Sequence, residues 1–242
     1  MRETGLFAHV RDTLNFTIIP MFTPGVAMPC LCEPGSQGAR NISGKLGAEK
    51  MRNSGMICIS LPLIAGIADR AAGTSAALTG PELMTENGCL TEQGSDVFWD
   101  RATLYALRGI FYTGNPDKAL EILHRLSQRR LLGDHVPYAV EAWPEGSQRH
   151  LSAESGLYCR VITEGLFGIR PTGLRSFMMN VNLPSGWNGM SLQHIRAFGS
   201  DFDLKVFRDS GNGLRVTVTE HTASGDKVRT LAPKQGKIFV DV

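Results

Sequence analysis

Residues 95–116 read SDVFWDRATLYALRGIFYTGNP, and this stretch decides the fold. Ser95 is of the type that caps helices, and Ala102, Leu104, Leu107 and Phe111 keep an approximate apolar face, so the spacing predicts a helix over 96–112. Gly114 stops it. Asn115-Pro116 then opens another helix at once, because proline at a first helical position lacks only an amide that would go unbonded there. In that second helix Ala119, Leu120, Leu123 and Leu126 fall on one side, Lys118, Glu121, His124, Arg125 and Arg129 on the other, and Gly133 closes it. So short a connection predicts an αα-hairpin.

Working outward, Ser152 to Phe167 predicts a third helix, with Leu157, Val161 and Ile162 inward and Gly168 and Pro171 as terminators. Upstream, Ala48 to Ala72 is mostly apolar but carries Gly55, Pro62 and Gly66, which predicts a helix broken near its middle and ended by Gly73. Pro81 opens a short turn to Asn87, stopped by Gly88. After Asn180 the period changes from helix to strand. Phe202, Leu204 and Val206 alternate with polar residues, as do Leu214, Val216 and Val218, and later Ile238 and Val240. Ser210-Gly211-Asn212-Gly213 and Ser224-Gly225-Asp226 are hairpin turns. The expected class is α+β, in three parts: an irregular, loop-rich segment over 1–45, a helical-hairpin domain over 46–178, and an antiparallel β domain over 179–242. The first part is punctuated by Pro20, Pro24, Pro29 and Pro34, and a stretch of that kind either lines a site or follows a missing piece.

Composition narrows the partners. A formal charge of +2 with scattered lysines and arginines forms no basic stripe, so nucleic acid is not an expected partner. The apolar run Gly55 to Ala68 contains Pro62 and is shorter than the ~20 residues that cross a bilayer, so no membrane span is expected. Met1-Arg2-Glu3-Thr4-Gly5 lacks an apolar signal core, so no secretion signal is expected in the chain as given. Cys30, Cys32, Cys58, Cys89 and Cys159 are an odd number at irregular spacing, which calls for no disulfide framework and no zinc set. No metal and no cofactor are expected. Gly44-Lys45 lacks the spacing of a phosphate loop, and Ser185 lacks the preceding Gly-x of a nucleophile elbow.

Helical hairpins in series followed by a β domain, together with three motifs, resemble one architecture. Phe98-Trp99-Asp100-Arg101-Ala102-Thr103-Leu104-Tyr105 resembles the aromatic, arginine-containing start of an inner helix in six-hairpin (α/α) toroid glycosidases of the trehalase and oligosaccharide-glucosidase type, where it walls a sugar subsite. Val140-Glu141-Ala142-Trp143-Pro144-Glu145-Gly146 looks like the loop that presents a catalytic carboxylate in several of those families. Leu183-Pro184-Ser185-Gly186-Trp187, followed by Phe198-Gly199 and Phe202-Asp203-Leu204-Lys205-Val206, is similar to the entry into the β domain of the fucosidase and rhamnosidase relatives. The resemblance covers residues 95 to 242. It implies helical hairpins of a partial toroid followed by a C-terminal β-sandwich-like domain, an oligosaccharide or polysaccharide substrate, and an extracytoplasmic setting. A complete toroid of six hairpins takes on the order of 350 residues, well beyond an ordinary domain, and this chain supplies about three hairpins. A fragment is therefore expected, with a homo-oligomer as the way to complete the ring.

Glycoside hydrolysis needs two carboxyl groups, one protonated and one ionised, about 6.5–9.5 Å apart when a water is activated between them. Glu141, Glu145 and Glu154 cluster in sequence beside Tyr138, Trp143, Arg149 and His150. Glu141 is the first candidate for the catalytic base and Glu145 the second. Trp99, Asp100, Arg101, Tyr138, Trp143, Arg149, His150 and Glu154 are the candidate substrate-binding residues. Each also has a plainer role: Glu154 suits the first turn of a helix, Asp100 and Arg101 suit an ion pair between hairpins, and His150 suits a surface. A non-catalytic carbohydrate-binding remnant is the alternative. A polysaccharide lyase is the third, with Tyr138, Tyr158 or His150 as base and Arg149 facing a uronate.

Overall fold

The computed structural model of the chain describes residues 56–65, 71–92, 94–130, 142–143 and 152–242. It is α+β, helices first and antiparallel strands after, and it divides between Ile169 and Arg170 into two compact units. The residues expected to be loop over 1–45 lie outside those described.

The helical unit is built around one helix. Helices α1 (Met56–Ile64) and α2 (Ala71–Thr79) are followed by two small strands, β1 (Met84–Thr85) and β2 (Gly88–Cys89). Then come β3 (Phe98–Trp99), α3 (Asp100–Tyr112), α4 (Pro116–Arg130), β4 (Ala142–Trp143) and α5 (Ser152–Arg160). From Asp100 to Phe111 every residue of α3 except Arg101 and Tyr105 is buried, because α1, α4 and α5 all pack on it. Gly109 makes the α1 contact close: a Cβ there would stand 3.1 Å from Leu63 Cδ1. The α3–α4 connection is the expected one, with Gly114 at φ +78° ending the first helix. Ala119, Leu123 and Leu126 face inward as the pattern predicts, while Leu120 is half-buried and Ile122 takes an inward place.

Several boundaries differ from expectation, for local reasons. The helix expected from Asp96 begins at Asp100. Ser95 caps a turn instead, its Oγ accepting the Val97 amide at 3.0 Å, and Phe98-Trp99 is drawn into a strand by Ala142-Trp143. Gly73 does not end a helix but lies inside α2, and Pro62 lies inside α1. The turn expected from Pro81 to Asn87 tightens into the β1–β2 ribbon. There Gly88, at φ +126°, leaves room for Thr103, whose Oγ1 accepts the Cys89 amide at 2.9 Å. The third helix is α only to Arg160 and continues as a π-helical turn over Val161–Leu166. Its wide turn lies against α3 at Gly165, where a Cβ would stand 2.9 Å from Phe111 Cδ2.

The change from helix to strand comes at Ile169, earlier than Asn180. Strands β5 (Ile169–Gly173) and β6 (Ser176–Met179) form a three-stranded sheet with β11 (Ile238–Asp241), in the order β11-β6-β5. Between them run β7 (Gly189–Ala197), β8 (Ser200–Arg208), β9 (Leu214–Thr222) and β10 (Gly225–Leu231), a meander in which each strand pairs with the next. Both expected hairpin turns are present. Asp209 accepts the amides of Gly211 and Gly213 at one, and Gly225, at φ +111°, follows the other. Phe202, Leu204, Val206, Val216 and Val218 are buried, and so are Ile238 and Val240. Phe177 of β6 stacks on Phe202 of β8 with ring centroids 5.5 Å apart. Leu183-Pro184-Ser185-Gly186-Trp187 is a turn, closed by the Trp187 amide on the Pro184 carbonyl.

Candidate functional site

The two sequence regions expected to carry chemistry meet at the head of α3. Phe98 pairs with Trp143 and Trp99 with Ala142 in an antiparallel ribbon. That ribbon exists because two short aromatic segments, too short to hold a strand alone, satisfy each other's backbone. Trp99 is half-buried, and the next residue but one, Arg101, keeps a third of its side chain in solvent.

Arg101 reaches across to α5. Its guanidinium lies 2.6 Å from Glu154 Oε1, and Nε donates to the same oxygen at 2.7 Å. Glu154 is fully buried and so is Asp100. Of the expected substrate-binding residues, these two therefore keep their carboxylates from solvent, and Arg101 and Glu154 form the ion pair between helices that their positions also allowed. Glu141, Glu145, Tyr138, Arg149 and His150 lie outside the described residues, and Trp143 is described by its backbone alone.

A second ion-pair group lies two turns along α3 and has no counterpart in the sequence analysis. Arg108, 3% exposed, and the half-exposed Arg160 both donate to Glu164 in the π-helical turn. Burial opposes ionisation of Glu164, but the hydrogen bond from Arg160 and the charges of Arg108 and Arg160 outweigh it and hold its carboxyl below the usual range. The signal that could have found it is an unpaired-looking arginine on the apolar side of a helix. Such a charge needs an acid nearby.

Tyr158 and the thiols are poor chemical candidates. Burial pushes the Tyr158 phenol up, although a 2.8 Å hydrogen bond with Ser127 partly offsets it, and a lyase base needs the opposite shift. Burial pushes Cys89 up to about 12 and Cys159 to about 11. Neither has appreciable thiolate at neutral pH. Cys89 should remain unlabelled by an aromatic disulfide reagent in the native protein and react only on unfolding, and native-state labelling at Cys89 would contradict this packing. The shallow hollow between the β1–β2 turn and α4, lined by Glu86, Asn87 and Arg125 among others, contains none of the expected site residues.

Neither a scan against protein-family models nor a search of curated proteins returns a match to this chain.

Proposed function

We propose that the chain is part of a glycoside hydrolase of the six-hairpin toroid type, acting on plant or host glycans at the rim formed by the β3–β4 ribbon. The observation that carries this is the register Phe98–Trp143 and Trp99–Ala142, which unites the helix-head motif with the acidic segment. Glu141 precedes β4 directly and Glu145 follows it by two positions. In this reading one of the two is the ionised base and Trp99 is a sugar platform. The Arg101–Glu154 pair positions the rim by tying α3 to α5 rather than touching substrate. The Phe177–Phe202 stack supports a sandwich-like arrangement of the two C-terminal sheets, as the resemblance implies.

One observation favours a non-catalytic glycan-binding remnant as the second reading: the acids seen at this rim, Asp100 and Glu154, are both buried. Turnover separates the two. With about half of a toroid present, the chain alone should bind oligosaccharides weakly and hydrolyse them poorly, since loss of general-acid assistance removes about 10²–10⁴ in rate. Association into a ring-completing homo-oligomer is the route by which activity is recovered, and light scattering beside the assay reads it. The experiment is binding and turnover of a panel of aryl glycosides and plant oligosaccharides, with Trp99→Ala and Glu141→Gln. Binding weakened by Trp99→Ala, with any turnover abolished by Glu141→Gln, is the expected result. Turnover indifferent to Glu141→Gln removes that base, binding with no turnover leaves the remnant, and glycan binding indifferent to Trp99→Ala removes the rim altogether.

A further inference from the structure

The solvent face of the four-stranded sheet gathers imidazoles and carboxylates from all four of its strands. The alternation that buries Phe202 and Leu204 turns Asp201 and Asp203 to the opposite face. The register then sets Asp201 opposite His221, and His221 opposite Asp226. From the edge strand β7 comes His194, at a bulge where the pairing shifts between Leu192 and Ile195.

That bulge is held in place by the cluster itself. His194 has φ +51°, a left-handed conformation that a non-glycine residue adopts only when its surroundings hold it there. Its amide donates to Asp203 Oδ1 at 2.7 Å. The His194 and His221 rings come to 5.1 Å between centroids. One ligand atom from each of His194, Asp203 and His221 lies within 4.8 Å of the other two.

His221 has the surroundings of a metal-ligating histidine. Its Nδ1 bonds Asp226 Oδ1 at 2.9 Å, the outer carboxylate that fixes a ligating imidazole's tautomer and leaves Nε2 as the donor atom. Nε2 is shielded from solvent and lies 3.2 Å from Asp203 Oδ1, yet no aligned hydrogen bond joins them. In a tetrahedral sphere with bonds of about 2.0–2.1 Å, adjacent donor atoms stand about 3.3 Å apart. The separation fits two donors aimed at a common third point better than it fits a donor aimed at its acceptor. His194, 59% exposed, is free to turn its ring toward the other two ligand atoms, which lie within 4.8 Å of its own. Asp201 stands 3.4 Å from His194 Nδ1 and Arg196 3.4 Å from Asp201, so three aspartates face two imidazoles and one arginine.

We propose that His194, Asp203 and His221 form a binding site for one divalent transition-metal ion, with Asp226 as the outer carboxylate on His221. Two imidazoles and a carboxylate select borderline ions such as Zn²⁺ over Mg²⁺ or Ca²⁺. The proton is the competitor, because an imidazole must be neutral at its ligating nitrogen to bind the ion. The site is independent of the glycan reading and stands or falls apart from it.

The test is titration of the untagged full chain with Zn²⁺ alone, by calorimetry in a non-chelating, slightly alkaline buffer. Co²⁺ absorbance, run beside it, reports the ligand type. One ion per chain is expected. Asp226→Asn should weaken it by about 10- to 100-fold, the usual effect of removing an outer partner, and His221→Ala by more. Asp226→Asn leaves all three ligands in place, so it remains informative if His221→Ala folds poorly. Absence of saturable binding overturns the site. So does binding unchanged by both substitutions. A thiolate charge-transfer band in the Co²⁺ spectrum, lost in Cys30→Ser/Cys32→Ser, overturns it by placing the ion on cysteines.

Discussion

Replacing Glu164 with glutamine is expected to destabilise the helical unit by roughly 2–3 kcal/mol at neutral pH, and by progressively less in acid. Removing one partner of a fully buried ion pair typically costs about 3–5 kcal/mol, because the other charge stays desolvated. Arg108 is nearly fully buried, whereas Glu164 keeps some contact with water, which brings the value to the bottom of that range or just below it. The Arg160 contact adds little, since that side chain is half in solvent and its pairing is screened. The pH dependence has a definite sign. Glu164 titrates lower in the folded protein than in the unfolded chain, where a glutamate has a pKa of about 4.3. Its stabilisation is therefore complete above that value and is lost as the pH falls through the folded pKa, where the protonated wild-type residue resembles glutamine. Urea unfolding of both proteins at neutral pH and at a series of acid pH values measures this. A gap that persists undiminished in acid would show that the loss comes from packing and not from the carboxylate charge.

The elements legible in the sequence are those whose signals are local. Gly114, Asn115 and Pro116 fix the α3–α4 connection within three residues, and the glycines around 210–213 and 225 fix the two long hairpins. The alternation of Phe202, Leu204 and Val206 requires only knowledge of a strand's period of two. What was illegible depends on partners far along the chain. Phe98-Trp99 carries a helix-compatible pattern and becomes a strand only because Ala142-Trp143 arrives beside it. Strands β5 and β6 lack a clear alternation until β11 pairs with β6. The site divides the same way. Arg101 and Glu154 were both visible as charged residues, but the 53 positions between them hid that they neutralise each other. His221 and Asp226 could have been paired across their short turn by counting register, whereas His194 enters through a bulge that no period announces.

Phe202→Ala is expected to be the most damaging single substitution in the C-terminal unit, at about 3–5 kcal/mol. Phe202 is fully buried in the middle strands of the meander, with Leu204 and Val218 beside it on the same face and the Phe177 ring stacked at 5.5 Å. Truncation removes the ring's transfer free energy and leaves a void that β-strands, tied by their ladders, close poorly. Stacked aromatic pairs contribute a further ~0.5–1.5 kcal/mol beyond burial, and that part is separable. Phe202→Leu keeps most of the volume but loses the stack, so it should cost less than half as much. A double-mutant cycle with Phe177→Leu should then return a coupling near that aromatic increment. The readout is hydrogen exchange along β8 and β9 with denaturant midpoints for each variant. Because the chain divides between Ile169 and Arg170, protection should fall across 200–222 before it falls in α3. Equal loss in α3 at the same denaturant concentration would mean that the two units unfold as one. A cost under about 1 kcal/mol for Phe202→Ala would mean that this ring does not anchor the sheet.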